Sequence, residues 1–338
     1  MFATLLGALP RPDAEGDVGT LVELVIRVQE DAGLEPITDG RLRDPGFERL
    51  AAALDRDSML DATTVEGWRF AAGLTEKAVK QALPGPYTLG HRKSGSPKGV
   101  AEGARMLMGS TRNDLRERER RTMAYAHALR REVDALAAAG CPLIEIEEAD
   151  AHRIGSSKTE RGLFRDAHHV LTEGVIGTHL SLSIVGQAAA SAGVETILAA
   201  PYASLAVDLI EGPDNWNLVT RTPGDRGIVV GALGIRETHD EPKEVLLWAA
   251  HYAASTAGRG NARIGIGSAG SYANLTWAAA LRKLQALGTA ARLAALPPGE
   301  ELANAVDPRS ISARRAALGS MARRATPRTP EPPKRSPR

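Results

Sequence analysis

Short apolar runs alternate with amphipathic helical patterns through most of the 338-residue chain, and this alternation restricts the fold more than any other feature. Strand–helix alternation is typical of a parallel sheet covered by helices. Eight apolar runs are predicted as strands, over 3–9, 35–41, 85–90, 143–149, 176–184, 206–211, 227–235 and 262–268. Six amphipathic stretches are predicted as helices, over 18–33, 118–139, 160–174, 185–193, 241–256 and 274–295. This order predicts an α/β fold, a (β/α)8 TIM barrel; an open doubly wound sheet is the alternative, since a strand count does not show closure.

The pattern predicts one barrel domain over 1–308. The stretch over about 44–84 is longer than a minimal strand–helix–strand unit needs, which predicts an insertion there. A terminal helix is predicted over 309–322. The segment 323–338 is basic, rich in proline and almost without apolar residues, so we expect a disordered, solvated C-terminal tail.

Composition narrows the classes of partner. The 42 basic and 41 acidic residues nearly cancel, which argues against a specific nucleic-acid surface. The single cysteine, Cys141, excludes an intrachain disulfide and any zinc site with two cysteine ligands, and we expect it to be buried and inert. No apolar run approaches the roughly 20 residues that span a bilayer, and the N-terminal run lacks the basic region of a signal peptide. We therefore expect a cytoplasmic protein with a small-molecule substrate and no membrane partner, and leave its oligomeric state open.

The segment Gly265–Gly270 matches the glycine pattern of dinucleotide-binding folds. Such a fold needs a further strand ending in an acidic residue about 20 residues later, and the helix over 274–295 leaves no room for it. These glycines are better interpreted as the tight loop after the last barrel strand, where many barrels bind anions.

Five segments carry a resemblance in their order and spacing: Leu6–Pro10, Val28–Gly33 with Thr38–Gly40, Leu83–Thr88, the run over 129–149, and His179 with Ser181 in the strand predicted over 176–184. In this order they resemble the C-terminal catalytic barrel of cobalamin-independent methionine synthase, a relative of uroporphyrinogen decarboxylase. The resemblance spans about residues 1–295 and implies a barrel that transfers methyl or other one-carbon groups.

In that family a histidine, two cysteines and a glutamate hold a catalytic zinc, which activates a substrate thiol. The matching positions here are His179, Ser181, Glu211 and Ala269. Both thiolates are missing, which argues against tight zinc binding. A non-zinc metal held by His179, Glu211 and Glu147 is an alternative, because nitrogen and carboxylate ligands suit iron or manganese.

The family's substrate pocket also changes. Its serine, glutamate, aspartate and general-acid histidine match Ala8, Arg41, Glu147 and Arg236. The resemblance implies a reduced folate as methyl donor, but these replacements argue against homocysteine as the acceptor.

Strand alternation places Glu145 and Glu147 on one face, which predicts either an acid–base pair or a buried ion pair with an arginine. Arg41, Arg43 and Arg236 lie near C-terminal strand ends, which favours an anionic substrate or, equally, ion pairs with these glutamates.

His179 lies at a strand end, and we predict that it belongs to the site at the barrel mouth. His168 and His169 fall in a helical pattern and are predicted to pack or to face solvent. Trp216, after the sixth strand, either covers the ligand or caps the strand.

Three functions follow from these residues. The first is a methyl or other one-carbon transferase with an altered metal site and substrate. The second is a metal-independent enzyme on an anionic substrate, as in uroporphyrinogen decarboxylase. The third is a non-catalytic barrel that acts as a binding or partner protein.

Overall fold

The computed structural model describes residues 1–55, 63–93, 112–296 and 299. The elements below all belong to one compact unit, Met1–Ala295. The predicted terminal helix over 309–322 and the predicted tail over 323–338 lie outside the described residues.

Seven parallel strands form one sheet in the order β1-β7-β6-β5-β4-β3-β2. The strands are β1 (Phe2–Thr4), β2 (Lys80–Pro84), β3 (Leu143–Glu147), β4 (His179–Ile184), β5 (Ser204–Asp208), β6 (Gly227–Leu233) and β7 (Ile264–Ser268). The register aligns Glu145 with Ser181 and Ser181 with Ser204, so these side chains lie side by side across three strands. The predicted α/β class with a parallel sheet is confirmed.

The described residues include ten α-helices, most of them between consecutive strands. They are α1 (Val18–Ala32), α2 (Glu48–Asp55), α3 (Thr63–Ala72), α4 (Pro86–Lys93), α5 (Arg112–Ala138), α6 (Lys158–Thr172), α7 (Val194–Ile197), α8 (Trp216–Arg221), α9 (Lys243–Ser255) and α10 (Trp277–Ala295). Within this described part of the chain, no helix is long and apolar enough to cross a bilayer.

Helix α1 shows how local sequence sets these elements. Asp17 accepts a hydrogen bond from the backbone N–H of Thr20 and so caps the first turn. Leu21, Val25 and Gln29 recur every four residues and are all buried, which gives the helix one face for the sheet. Gly33 ends it in the left-handed conformation at φ 80°.

The strand predicted over 35–41 is instead a short bridging segment, residues 35–38. Its backbone bonds to β1 on one side, where the N–H of Glu35 donates to Ala3, and to β2 on the other, where Ile37 accepts from Lys80. Pro36 has no N–H to continue a ladder, and Gly40 turns the chain away at φ 68°, so the pairing stays an isolated bridge. The segment nevertheless lies between the two outermost strands of the sheet.

Two further predictions were wrong. The strand predicted over 85–90 lies a few residues earlier, as β2, because Pro86 starts helix α4 and its first N–H groups are capped by Glu148. The helix predicted over 185–193 is a loop with a 3-10 turn at Ala190–Ala192, followed by the four-residue α7. The stretch over 44–84 contains α2, α3 and β2.

An apolar cluster fills the sheet interior towards its C-terminal side. It consists of Leu6, Val185, Ala206 and Val229, with Phe2 and Ala149 packed against it. Leu6, Ala149 and Val185 all follow the C-terminal ends of their strands. The cluster therefore separates the residues at the N-terminal ends of the strands from the loops that follow their C-terminal ends.

Candidate functional site

The C-terminal side of the sheet carries a buried ion pair between Arg41 and Glu147. Nη1 of Arg41 donates to Oε2 of Glu147 over 2.8 Å, and both side chains are largely shielded from solvent. Arg41 follows Gly40 in the turn after the bridging segment and itself has φ 52°, in the left-handed region. Its guanidinium lies 4.2 Å above the centre of the Phe47 ring. Turn, ring and carboxylate together fix the position of this cation.

Next to Arg41 lies a cavity of about 400 Å³, here called the arginine cavity. Its wall includes Asp39, Arg41, Arg43, Phe47, Arg49 and Gln81.

Two buried N–H donors in this wall lack hydrogen-bond acceptors among the described residues: Nε of Arg41 and Nη1 of Arg43. The nearest carboxylate oxygen to Nη1 of Arg43 is Oδ2 of Asp39, at 3.9 Å, which is too long for a hydrogen bond. Buried donors without partners destabilise a structure, so an acceptor that enters this cavity would be bound favourably.

Asp39 is one of two acidic residues in the wall of the arginine cavity, the other being Asp44. Burial raises the pKa of its carboxyl group, although Arg43 and Arg41 lie nearby. Its Oδ1 accepts a hydrogen bond from the backbone N–H of Arg41 over 2.8 Å. The nearby guanidinium groups of Arg43 and Arg41 counter the negative charge of this group when it is ionised.

A second buried network lies behind Glu147, and its members were missed as site residues. Glu148 accepts hydrogen bonds from the backbone N–H groups of Tyr87 and Thr88, over 2.9 and 2.8 Å. His168 donates from Nε2 to the same carboxylate over 2.9 Å, and its Nδ1 lies 2.6 Å from the Tyr202 hydroxyl group. His168 thus packs inside the molecule, whereas His169 is exposed near Glu173. Glu148 could have been found in the sequence as the second of two adjacent glutamates, at the end of the predicted strand in the run EIEEAD.

His179 lies at the opposite end of the sheet from Arg41, because it is the first residue of β4. Its Nε2 lies 2.7 Å from Oγ of Ser204, and burial lowers the pKa of its imidazole. It lines a second cavity of about 460 Å³, here called the N-terminal cavity. The expected place of His179 at the C-terminal barrel mouth is thereby corrected: the strand begins, rather than ends, at this residue.

Glu145 also faces the N-terminal cavity, where it pairs with Lys80. Nζ of Lys80 donates to Oε2 of Glu145 over 2.7 Å, and both side chains are almost completely buried. Glu145 and Glu147 share a strand face and have separate cationic partners, and the pair of Glu147 with Arg41 is the buried ion pair with an arginine that one of the two alternatives predicts. Lys80 was missed because the strand that carries it was predicted too late in the chain.

The four positions that match the family's zinc ligands by resemblance, His179, Ser181, Glu211 and Ala269, do not come together. His179 lies before the N-terminal end of β5 in register, whereas Glu211 lies beyond its C-terminal end. Ser181 and Ala269 offer a hydroxyl group and a methyl group where thiolates are needed. Among the described residues, no group of three or more histidine, cysteine, aspartate or glutamate side chains could hold a metal ion. The residues present therefore do not fit a catalytic zinc.

The remaining predicted residues lie outside both cavities. Arg236 is 72% exposed and lies 3.6 Å from Glu211. Trp216 packs edge-to-face against Trp248 of α9. Ala8 is fully buried, and its backbone N–H donates to Ser271.

A sequence profile described as cobalamin-independent synthase, catalytic domain, matches residues 8–196, more than half of the chain. The chain belongs to this family. A comparison with curated proteins found no match.

Two solved structures show the same fold. One is a B12-independent methionine synthase from Shewanella sp. W3-18-1 in complex with selenomethionine, with a TM-score of 0.66, 15% identity and coverage of 94% of this chain and 98% of that one. The other is a putative vitamin-B12-independent methionine synthase from Listeria monocytogenes, with a TM-score of 0.62, 15% identity and coverage of 86% and 97%. The seven-stranded sheet is therefore of the methionine synthase catalytic-barrel type, and the chain is a diverged member of that superfamily.

Proposed function

We propose that this chain is a one-carbon transferase whose acceptor is a small anion without an α-amino group, bound in the arginine cavity. The observation that carries the proposal is the pair of buried, acceptor-free N–H donors on Arg41 and Arg43. Transfer of a methyl or other one-carbon group is the chemistry that family membership favours, with a folate as the donor that the resemblance implies.

The position of Arg41 explains the change of acceptor. By resemblance, Arg41 and Glu147 stand where the family's amino-acid pocket has two carboxylates, a pair that suits a substrate ammonium group. Here one carboxylate has become a guanidinium, and it donates to the other over 2.8 Å. Arg41 thus supplies internally the positive charge that an amino acid would bring. The Shewanella protein was solved with an amino acid, selenomethionine. In this chain the guanidinium of Arg41 pairs with Glu147 in place of a ligand's ammonium group.

Guanidinium donors without acceptors, and not the net charge of the wall, favour an anion in the arginine cavity. Arg41, Arg43 and Arg49 face Asp39 and Asp44 in its wall. Burial raises the pKa of the Asp39 carboxyl group. Arg41 is fixed in place by its ion pair with Glu147. A carboxylate can accept two hydrogen bonds from guanidinium groups at once, which matches the acceptor-free donors.

We also propose that the bridging segment, residues 35–38, takes the place of the eighth strand in a closed barrel. Its hydrogen bonds to β1 and to β2 support this. Closure there would place the turn at Arg41 on the ring of C-terminal strand ends, where barrel enzymes bind substrates. Catalytic roles for His179, Glu145, Glu147 and Arg236, and a covering role for Trp216, stay predictions.

The test compares two ligands that differ only in the amino group, homocysteine and 4-mercaptobutyrate. Calorimetric titration of the wild-type protein is expected to show 4-mercaptobutyrate bound at least about tenfold more tightly, the effect of one charge-assisted contact. Arg41→Glu restores the second carboxylate and is expected to reverse the preference. Arg221→Ala removes an arginine that is 61% exposed and lies outside the cavity wall, and it is the matched control, with no change expected.

Tighter binding of homocysteine than of 4-mercaptobutyrate by the wild-type protein would contradict the proposed class of acceptor. S-methylation of the bound thiol with methyltetrahydrofolate, followed by mass spectrometry, then tests transfer itself. Binding without methylation would leave this chain as a cofactor-free enzyme on an anion or as a binding protein.

A further inference from the structure

We propose that the N-terminal cavity is a second binding site, distinct from the arginine cavity, and that it takes a small uncharged polyhydroxylated molecule such as a polyol.

The N-terminal cavity is built from the beginnings of the strands. Its wall includes Lys80, Leu143, His179, Ser204 and Gly227, the first residues of β2 to β6. Barrel-type sheets usually place substrate sites at the other end, and residues at this end serve stability. A cavity of about 460 Å³ here, in the size range of ligand sites, is therefore unexpected for a purely structural end.

The wall holds polar atoms that the fold leaves unused. Oε1 of Glu145 and Oγ of Ser181 are buried and have no hydrogen-bond partner among the described residues. The two residues are direct neighbours across β3 and β4. Lys80 donates one of its three N–H groups to Glu145. A donor, an acceptor and a hydroxyl group thus lie together in one wall, as recognition of hydroxyl groups requires.

The charges in this wall cancel, which excludes an ionic ligand. The buried cation of Lys80 is matched by the carboxylate of Glu145 at 2.7 Å. His179 is held neutral, since burial lowers the pKa of its ring. At the exposed rim, Asp225 and Arg263 again offer one charge of each sign. A charged ligand would be buried without a counter-charge, whereas an uncharged one need only exchange hydrogen bonds.

The N-terminal cavity is separate from the arginine cavity. The two share no residue among those that form their described walls. Val229 and Phe2 belong both to the N-terminal cavity and to the apolar cluster, which closes the cavity towards the C-terminal side. A ligand in one cavity therefore contacts none of the residues in the described wall of the other.

The test uses three six-carbon probes that differ in charge: sorbitol, gluconate and glucamine. Calorimetric titration of the full chain at pH 7.5 is expected to show binding of sorbitol, with gluconate and glucamine at least about tenfold weaker. Ser181→Ala is expected to weaken sorbitol binding about tenfold, the effect of one lost hydrogen bond in a dry site. A saturating amount of 4-mercaptobutyrate should leave sorbitol binding unchanged.

Ser183→Ala is the matched control. Ser183 lies two residues further along β4 and does not line the N-terminal cavity. Its hydroxyl group is also buried and has no hydrogen-bond partner in the described part of the chain. Its affinity for sorbitol should equal that of the wild type. No sorbitol binding, tighter binding of gluconate, or equal losses in the two serine variants would each overturn the proposal. Both substitutions remove only a hydroxyl group, and a thermal unfolding scan of each variant checks that the fold survives.

Discussion

Nε2 of His168 donates a hydrogen bond to Oε1 of Glu148 over 2.9 Å, and both side chains are fully buried. The same carboxylate caps the first turn of α4 through the N–H groups of Tyr87 and Thr88. Glu148 directly follows Glu147, the partner of Arg41. This network therefore joins α6 and α4 to the end of β3 that carries the ion pair of the arginine cavity.

His168→Ala is expected to lower the free energy of unfolding by about 2–4 kcal/mol, because it removes one hydrogen-bond donor from the buried Glu148 carboxylate and the ring nitrogen that lies 2.6 Å from the buried Tyr202 hydroxyl group. His169→Ala is the control on the same helix, since that imidazole is 65% exposed, and should change stability by less than about 0.5 kcal/mol. Urea unfolding followed by circular dichroism measures both. Similar losses in the two variants would contradict the role given to the network.

Asp39→Asn is expected to stabilise the protein near pH 7 and to do so less as the pH falls. Burial raises the pKa of Asp39 in the folded state above its ordinary value of 3.8. The stability that its protonated form contributes is complete below the unfolded pKa and is lost as the pH rises through the folded pKa. Asparagine stays uncharged and keeps an oxygen for the Arg41 N–H, so it avoids that loss.

The measurement is the difference in unfolding free energy between wild type and Asp39→Asn, from pH 4 to pH 8. The difference should grow with pH. A constant difference, or one that grows towards acid, would show that burial does not control this carboxyl group.

Much of the fold could be predicted because apolar runs are local signals. The strands around Ile144, Leu182 and Ile266 are buried on both faces and were predicted within a few residues. The strand predicted over 85–90 was misplaced because most of these residues belong to helix α4. The start of that helix depends on Glu148, about 60 residues away along the chain. A contact of that range has no periodic signature.

The site was less predictable for the same reason. Glu147 and Arg41 were identified from the sequence, but their pairing spans 106 positions and depends on how the bridging segment docks beside β1 and β2. Lys80 pairs with Glu145 only because β2 and β3 are aligned with Ala82 opposite Glu145. The place of His179 changed because strand direction, and not residue type, decides which end of the sheet a residue occupies.

Cys141 is expected to resist alkylation in the folded protein. It is buried, its thiol donates to the carbonyl of Leu143 over 3.3 Å, and burial raises its pKa to about 11, so little thiolate exists near neutral pH. Mass spectrometry after iodoacetamide at pH 8 should show no adduct in the native protein and one adduct in urea. Rapid native labelling would show that the thiol reaches solvent.

Two glycines inside helices are expected to respond oppositely to the same substitution. Gly162 lies in α6, and no described heavy atom comes within 4 Å of the position that an added Cβ would take. Alanine is the better helix former there, so Gly162→Ala should stabilise the protein by about 0.5–1 kcal/mol. Gly288 lies in α10 against the end of α1, where a Cβ would fall 1.6 Å from the carbonyl oxygen of Ala32.

Gly288→Ala must therefore move backbone against backbone, and a loss of about 1–3 kcal/mol is expected in spite of the gain in helix propensity. Urea unfolding of the two variants in parallel gives the sign directly. Because both substitutions add one methyl group to a helix interior, propensity alone predicts a gain at both positions. A gain at Gly288 would mean that α10 and α1 do not pack as closely as the Gly288–Ala32 contact requires.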